Sequence, residues 1–258
     1  MQSKILLFKV VLISLFFWGN PASAQQELIF ILAGQSNMAG QGERSKVPAH
    51  YRKNPRNVSF YHNGYKTPLN HFAYFGPEIG FAHEVARRYP KHQIKIIKFA
   101  VGGTSMLAWA PNWSVQRANL TKNASAGPLF KKLLQTANAS YDSKKSRISA
   151  VLWVQGEADA KYPAIARQYK NNLSIFVTAL RRQLDNRNTQ FIVAGVNPPV
   201  KQFPASAVIN KAQKQVVASL PNMQFIRTID LSKRSDNLHF DTLGQIKLGK
   251  RFAKLVRP

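Results

Sequence analysis

LIFILAGQSNMAGQG, residues 28–42, runs from six apolar residues into a glycine-rich loop built around one serine, Ser36. A short apolar run closed by a turn reads as a buried strand of a parallel sheet. A residue directly after such a strand stands at its carboxyl end, where open α/β sheets bind their ligands. Three roles are open to Ser36: a helix cap, part of a phosphate cradle, or a nucleophile. The loop has neither G-x-G-x-x-G nor a terminal Gly-Lys-Ser/Thr, which disfavours the cradle. Met38 takes the place of the second glycine in the G-x-S-x-G elbow, so the loop is not of that type either.

Outward from this stretch, short apolar runs alternate with amphipathic ones, the pattern of a parallel sheet covered by helices on both sides. Strands are expected at Leu28–Ala33, Gln93–Ala100, Ile148–Val154, Gln190–Val196 and Met223–Ile229. Helices are expected at Pro77–Tyr89, Pro128–Ala139, Ile165–Leu184, Ala205–Leu220 and Leu243–Val256. Two stretches break the alternation. Gln41–Phe75 contains VSFYHNGYKTPL, a hairpin turning at Asn63-Gly64, and Thr104–Gly127 carries Trp109 and Trp113. Both follow a strand and are expected to stand over a site at the sheet's carboxyl rim.

The first residues read as a separate segment. Lys4 and Lys9 precede the apolar run Val10–Trp18, and Ala22-Ser23-Ala24 is a small-x-small cleavage signal, so residues 1–24 are expected to be a signal peptide and 25–258 the folded domain. No later segment approaches the roughly 20 apolar residues of a membrane span. The chain has no cysteine, so an exported protein here carries no disulfide and no lipid-bearing cysteine, which fits a bacterial periplasmic or secreted setting. Lys and Arg number 37 against 11 Asp and Glu, a formal charge of +26. Such a field attracts polyanions within a Debye length of about 8 Å. An acidic glycan or lipopolysaccharide is one reading, with nucleic acid ranked below it; a host proteome that is basic throughout is the other. Lys247, Lys250, Arg251 and Lys254 form one basic face of the last helix.

With so few acids, their placement is informative. Four fall in two short segments, WVQGEAD with Glu157 and Asp159, and DNLHFD with Asp236 and Asp241. Five of the six histidines lie before residue 93, and His239 stands alone near the C-terminus. A serine hydroxyl needs a base to take its proton, and the base needs a third group to orient its ring. Asp236 and His239, three apart on a turn, can face the same way and supply both. Acyl transfer also needs donors fixed around the developing oxyanion. The candidates are the backbone N–H of Gly102 or Gly103, the Gln155 amide, and N–H groups at Ser36 and Asn37. Each feature has a bland alternative: a cap, a surface pair, a tight turn, a strand end. All of them nevertheless fall at strand ends on one rim or just before the last helix.

These segments resemble the SGNH hydrolases, and within them the branch of sialate O-acetylesterase and carbohydrate esterase family 6. The pieces that carry the resemblance are GQSNMAG at 34–40, GPEIGFA at 76–82, GGTS at 102–105, WVQGEAD at 153–159 and DNLHFD at 236–241. The resemblance implies a three-layer α/β/α, flavodoxin-like sandwich, which agrees with the five-stranded parallel sheet read from the alternation. It implies Ser36 as nucleophile, His239 as base and then acid, Asp236 as orienter, and Gly102 or Gly103 in the oxyanion hole. Gln155 stands where the wider superfamily places an asparagine. Glu157, Asp159 and Asp241 are expected to support the site from behind. No histidine spacing resembles a metal site, and the chemistry calls for no cofactor. His62 and His71 are candidates to line the cleft, and Trp109 and Trp113 to stack on a sugar ring or to pack their insertion. The activity implied is removal of O-acetyl groups from a carbohydrate. The alternatives are a lipase, thioesterase or arylesterase of the same fold, or a non-catalytic polyanion-binding protein.

Overall fold

The computed structural model describes residues 27–257. The expected signal segment, 1–24, lies outside the described residues. The strands are β1 (Glu27–Gly34), β2 (Gly42–Glu43), β3 (Val58–His62), β4 (Tyr65–Lys66), β5 (Tyr74–Phe75), β6 (Gln93–Ala100), β7 (Ile148–Val154), β8 (Gln190–Ala194) and β9 (Met223–Ile226). The helices are α1 (Ser36–Ala39), α2 (Glu78–Arg88), α3 (Val115–Asn119), α4 (Leu129–Ser140), α5 (Glu157–Ala160), α6 (Pro163–Ala166), α7 (Tyr169–Gln183), α8 (Ser206–Ser219) and α9 (Thr242–Leu255).

Successive side chains of a strand point to opposite faces, and β1 is apolar on both. Ile29, Ile31 and Ala33 join a core with Leu133 of α4, Phe176 of α7 and Ile209 of α8. Leu28, Phe30 and Leu32 join the opposite core with Phe81 of α2 and Phe252 of α9. Helices therefore cover both faces, giving three layers with β1 in the middle. The strand order is β4-β3-β6-β1-β7-β8-β9, parallel throughout except for β4. From β1 the chain goes out to β3 and β4, returns to place β6 beside β1, then crosses to β7 on the other side. That reversal makes the carboxyl end of β1 a topological switch point, with the loops after β1, β6 and β7 side by side.

The sheet has seven strands where five were expected. The two additions come from the first insertion: β3 pairs in parallel with β6, and β4 folds back on it at Asn63 and Gly64, whose φ angles are 51° and 91°. The hairpin is therefore as read from Asn-Gly, but it extends the sheet edge. Strand β9 stops at Ile226, three residues short of the expected end. In the second insertion Trp109 is fully buried, edge-on to Phe99 and Trp153 at 5.6 and 5.1 Å between ring centroids, so it is core and is not available to a sugar. On α9 the basic face is partly neutralised. Lys247 and Arg251 both pair with Asp230, at 2.8 and 2.5 Å, and their hydrogen bonds, Arg251's the larger, hold that carboxyl well below its ordinary range. Among the described residues no helix is long and apolar enough to cross a membrane.

Candidate active site

The turn that presents Ser36 is shaped by backbone crowding. Gly34 closes β1 at a φ of +147°, and a Cβ there would meet the Val154 carbonyl oxygen at 2.1 Å, so only glycine fits. The next N–H, that of Gln35, donates to that same carbonyl at 2.8 Å. Ser36 then begins the four-residue α1. The Ser36 and Asn37 N–H groups lie in its first turn, where a helix supplies no acceptor. Gly102, in the loop after β6, comes alongside: a Cβ added to it would stand 3.7 Å from the Ser36 Cβ. Gly103 follows at a φ of +69° with open space around it.

The loop before α9 brings the other two groups. His239 Nε2 lies 3.0 Å from Ser36 Oγ, and its Nδ1 lies 2.7 Å from Asp236 Oδ2. The other carboxylate oxygen accepts the backbone N–H groups of Leu238 and His239, both at 2.9 Å. Asp236 thus closes the turn it belongs to and orients the ring, as its three-residue spacing from His239 anticipated. Partial burial works to raise its pKa, but the hydrogen bonds from the His239 N–H, the His239 ring and the Leu238 N–H outweigh this and hold it below the ordinary value. An ionised carboxylate, an imidazole and a hydroxyl in series can move the hydroxyl proton to Nε2 and stabilise the resulting imidazolium.

Asn37 couples the two loops. Its Nδ2 donates to Glu157 Oε1 at 2.8 Å and to the Leu238 carbonyl at 3.2 Å, and its Oδ1 accepts the Phe240 N–H at 2.9 Å. Its own carbonyl accepts from Gln245 of α9 at 3.1 Å. The residues on either side of His239 are therefore tied to the residue after Ser36. Glu157 is buried under this contact. Burial raises its pKa against the lowering effect of Asn37, and its Oε2 has no partner. Sequence reasoning names Asn37 for its backbone N–H in the oxyanion hole and misses this side-chain role, because nothing in its spacing marks a partner some two hundred residues away.

Gln155 is a correction. Its side chain is 0% exposed and turned inward, Nε2 donating to the Thr104 carbonyl at 2.9 Å and to Asp159 Oδ2 at 2.6 Å, while Oε1 accepts from Tyr169 Oη at 2.8 Å. No amide hydrogen is left to aim at an ester. Asp159 in turn accepts the Met106 N–H with both oxygens at 3.0 Å, which pins the start of the second insertion. Burial pushes its carboxyl up to about 7, against the lowering effect of Gln155 and Met106. Asp241 is also not part of the site: it caps α9, accepting the Gly244 N–H at 2.8 Å and the Ser232 hydroxyl at 2.6 Å. His62 packs against Phe72, at 4.6 Å between centroids, in the hairpin region. Among the described residues no group of acids and histidines is arranged to hold a metal ion.

A parallel α/β sheet with hydroxyl, imidazole and carboxylate gathered at its switch point has the architecture of a hydrolase, and comparison with known proteins makes the class specific. The family model described as carbohydrate esterase, sialic acid-specific acetylesterase matches residues 26–257, and the chain belongs to that family. It is a carboxylic ester hydrolase. A probable carbohydrate esterase of Arabidopsis thaliana is 26% identical over 253 residues, covering 88% of each chain. The crystal structure of the Arabidopsis protein superposes with a TM-score of 0.74 at 23% identity, covering 89% of this chain and 97% of that one. A carbohydrate acetylesterase from Xanthomonas citri superposes at 0.69 and 17% identity, over 88% of this chain and 55% of that one. The expected SGNH-like fold and family are thus borne out, and the non-catalytic alternative is set aside.

Proposed function

We propose that the chain is an exported serine esterase that removes O-acetyl groups from a carbohydrate, with Ser36 as nucleophile, His239 as general base and then acid, and Asp236 as orienter. The observation that carries this reading is the unbroken series of contacts, 2.7 Å from Asp236 to His239 and 3.0 Å from His239 to Ser36. Ser36 Oγ attacks the acetyl carbonyl carbon as its proton passes to His239 Nε2. The C–O bond to the sugar then breaks, and the departing sugar oxygen takes that proton. Water repeats the sequence on acetyl-Ser36: its oxygen attacks, Nε2 takes its proton, acetate leaves, and the proton returns to Oγ.

The oxyanion donors we assign are the N–H groups of Ser36 and Gly102, with those of Asn37 and Gly103 beside them. They are fixed by the backbone before substrate arrives, which is how such donors contribute most. Carbohydrate as the alcohol follows from the family, and acetate as the acid is supported by its description and by the Xanthomonas relative. The +26 charge supports an anionic glycan, and the cleavage signal ending at Ala24 supports export. The test is hydrolysis of p-nitrophenyl acetate and release of acetate from O-acetylated glycans by the wild type and by Ser36→Ala. The variant is expected to lose turnover of both substrates. Equal hydrolysis by the two proteins overturns the assignment. An acyl-chain series separates an acetylesterase from a lipase or thioesterase, since an acetyl pocket loses rate steeply on longer chains, each methylene being worth about 1–3 kcal/mol.

A further inference from the structure

The segment GPEIGFA takes no part in the chemistry above, yet its Glu78 is one half of a buried ion pair next to the proposed nucleophile turn. Lys98, in β6, and Glu78, at the first position of α2, are 3% and 2% exposed and meet at 2.8 Å between Nζ and Oε2. Lys98 opposes Leu32 of β1 in the sheet, and its Nζ also donates to the Ala39 carbonyl, the last residue of α1, at 2.7 Å. Both Glu78 oxygens accept the Gly76 N–H at 3.0 Å. Gly76 in turn lies directly on the turn, because a Cβ there would meet the Met38 carbonyl oxygen at 2.3 Å. The pair thus grips α1 from two sides: Lys98 holds its last carbonyl, and Glu78 holds the strand that closes over it.

We propose that Lys98 and Glu78 are positioning residues for the nucleophile, a charged strut that fixes the C-terminal end of the Ser36 turn as Asn37 fixes its start. The inference rests on the reading of Ser36 as nucleophile. A buried ion pair is a poor device for stability alone, since apolar side chains of similar size generally serve as well. What an apolar pair cannot do is donate to the Ala39 carbonyl. A four-residue helix has little structure of its own to hold its end, so that donor sets where α1 stops and how Ser36 faces Nε2. Burial pushes the Lys98 pKa down, against the raising effect of the Glu78 charge and hydrogen bond, and the nitrogen carries hydrogens to donate in either protonation state.

Removing one partner strands a charge in the interior, so the test replaces both. Lys98→Met/Glu78→Gln removes the charge and the donor together, whereas Lys98→Gln/Glu78→Gln removes the charge but retains an N–H that can reach toward Ala39. Thermal unfolding establishes that each is folded, and Ser36→Ala serves as the inactive reference. With p-nitrophenyl acetate, Lys98→Met/Glu78→Gln is expected to lose about 10- to 100-fold in kcat with KM little changed, by analogy with the cost of a roughly 1 Å misplacement. Phosphonylation of Ser36 by a p-nitrophenyl phosphonate should slow in parallel, and Lys98→Gln/Glu78→Gln should recover part of both rates. A folded Lys98→Met/Glu78→Gln with kcat within twofold of wild type overturns the strut, as does equal activity of the two double variants. If Lys98→Met/Glu78→Gln does not fold, Lys98→Gln/Glu78→Gln decides: reduced kcat at unchanged KM supports the strut, and full kcat overturns it. An active Ser36→Ala would instead overturn the nucleophile assignment.

Discussion

Asn37→Ala tests how the two halves of the site are held in register. The side chain is 1% exposed and makes three hydrogen bonds, to Glu157, to the Leu238 carbonyl and from the Phe240 N–H. Truncation leaves the Phe240 N–H and the Glu157 carboxyl without partners in the interior. A buried group stranded in this way costs about 1–3 kcal/mol. Asn37 is the leading influence holding the Glu157 pKa down against burial, so its loss lets that carboxyl take up a proton and avoid the full cost of a bare charge. We therefore expect a loss of about 3 kcal/mol in urea unfolding, toward the lower end of the two costs combined. Because the lost bonds flank His239 on both sides, kcat for p-nitrophenyl acetate should fall about 100-fold, the usual scale for a reacting group displaced by roughly 1 Å. His239 keeps its bond to Asp236, so some turnover persists. Loss of stability with kcat within twofold of wild type would refute the reasoning, because the base would then be placed without Asn37.

Three further outcomes follow from the same geometry. Asp236→Asn should lower kcat by about 10⁴-fold, because an amide lets the ring adopt the wrong tautomer; a drop under tenfold would show that the two backbone bonds to Asp236 matter more than its charge. Asp159 sits at about 7 in the folded protein against 3.8 when free, so the folded state holds a proton that the unfolded chain releases. Its contribution is full below about pH 4 and is lost as pH rises toward 7, on the order of 4 kcal/mol; urea unfolding of Asp159→Asn should show a correspondingly flatter fall in stability over that window, and identical slopes would contradict the burial argument. Gly34→Ala should cost about 3 kcal/mol or more, because its Cβ would lie 2.1 Å from the Val154 oxygen; a wild-type thermal midpoint would count against that crowding.

Much of the scaffold was legible because its signals are local and periodic. The five expected strands all exist, and the five expected helices appear within a few residues, α7 preceded by the separate short α6 where one helix was read. The Asn63-Gly64 turn was readable from two residues, whereas the pairing of β3 with β6 was not, since VSFYH carries nothing that says which strand it will join. At the site, Ser36, Asp236 and His239 stand out in the sequence by placement at strand and loop ends, and the structure brings the three side chains into contact. Gln155 was misread for an understandable reason. Its position at the end of β7 is right for a donor, but the direction of a side chain depends on its neighbours, and Asp159, Thr104 and Tyr169 draw this one inward. Trp109 reads equally as core or sugar platform for the same reason, because burial of an aromatic in an insertion is decided by residues far away in the chain.

A common pattern underlies these differences. The residues proposed to do the chemistry, Ser36, His239 and Asp236, are exposed or half-exposed at the rim, where little packs against them, and their proposed roles follow from type and order along the chain. The residues that hold them there are buried polar groups, Asn37, Glu157, Asp159, Gln155, Glu78 and Lys98. Each is costly to bury and repays that cost only through a specific partner. Those partners lie from two to about two hundred residues away, so neither periodicity nor a short motif reveals them. A strand such as QIKIIKFA shows a lysine where an apolar residue would pack as well, but does not show the Ala39 carbonyl it reaches. On the proposed reading, precision at Ser36 is carried by the part of the molecule that sequence patterns describe least, and the double variants at Lys98 and Glu78 measure how much of the rate depends on it.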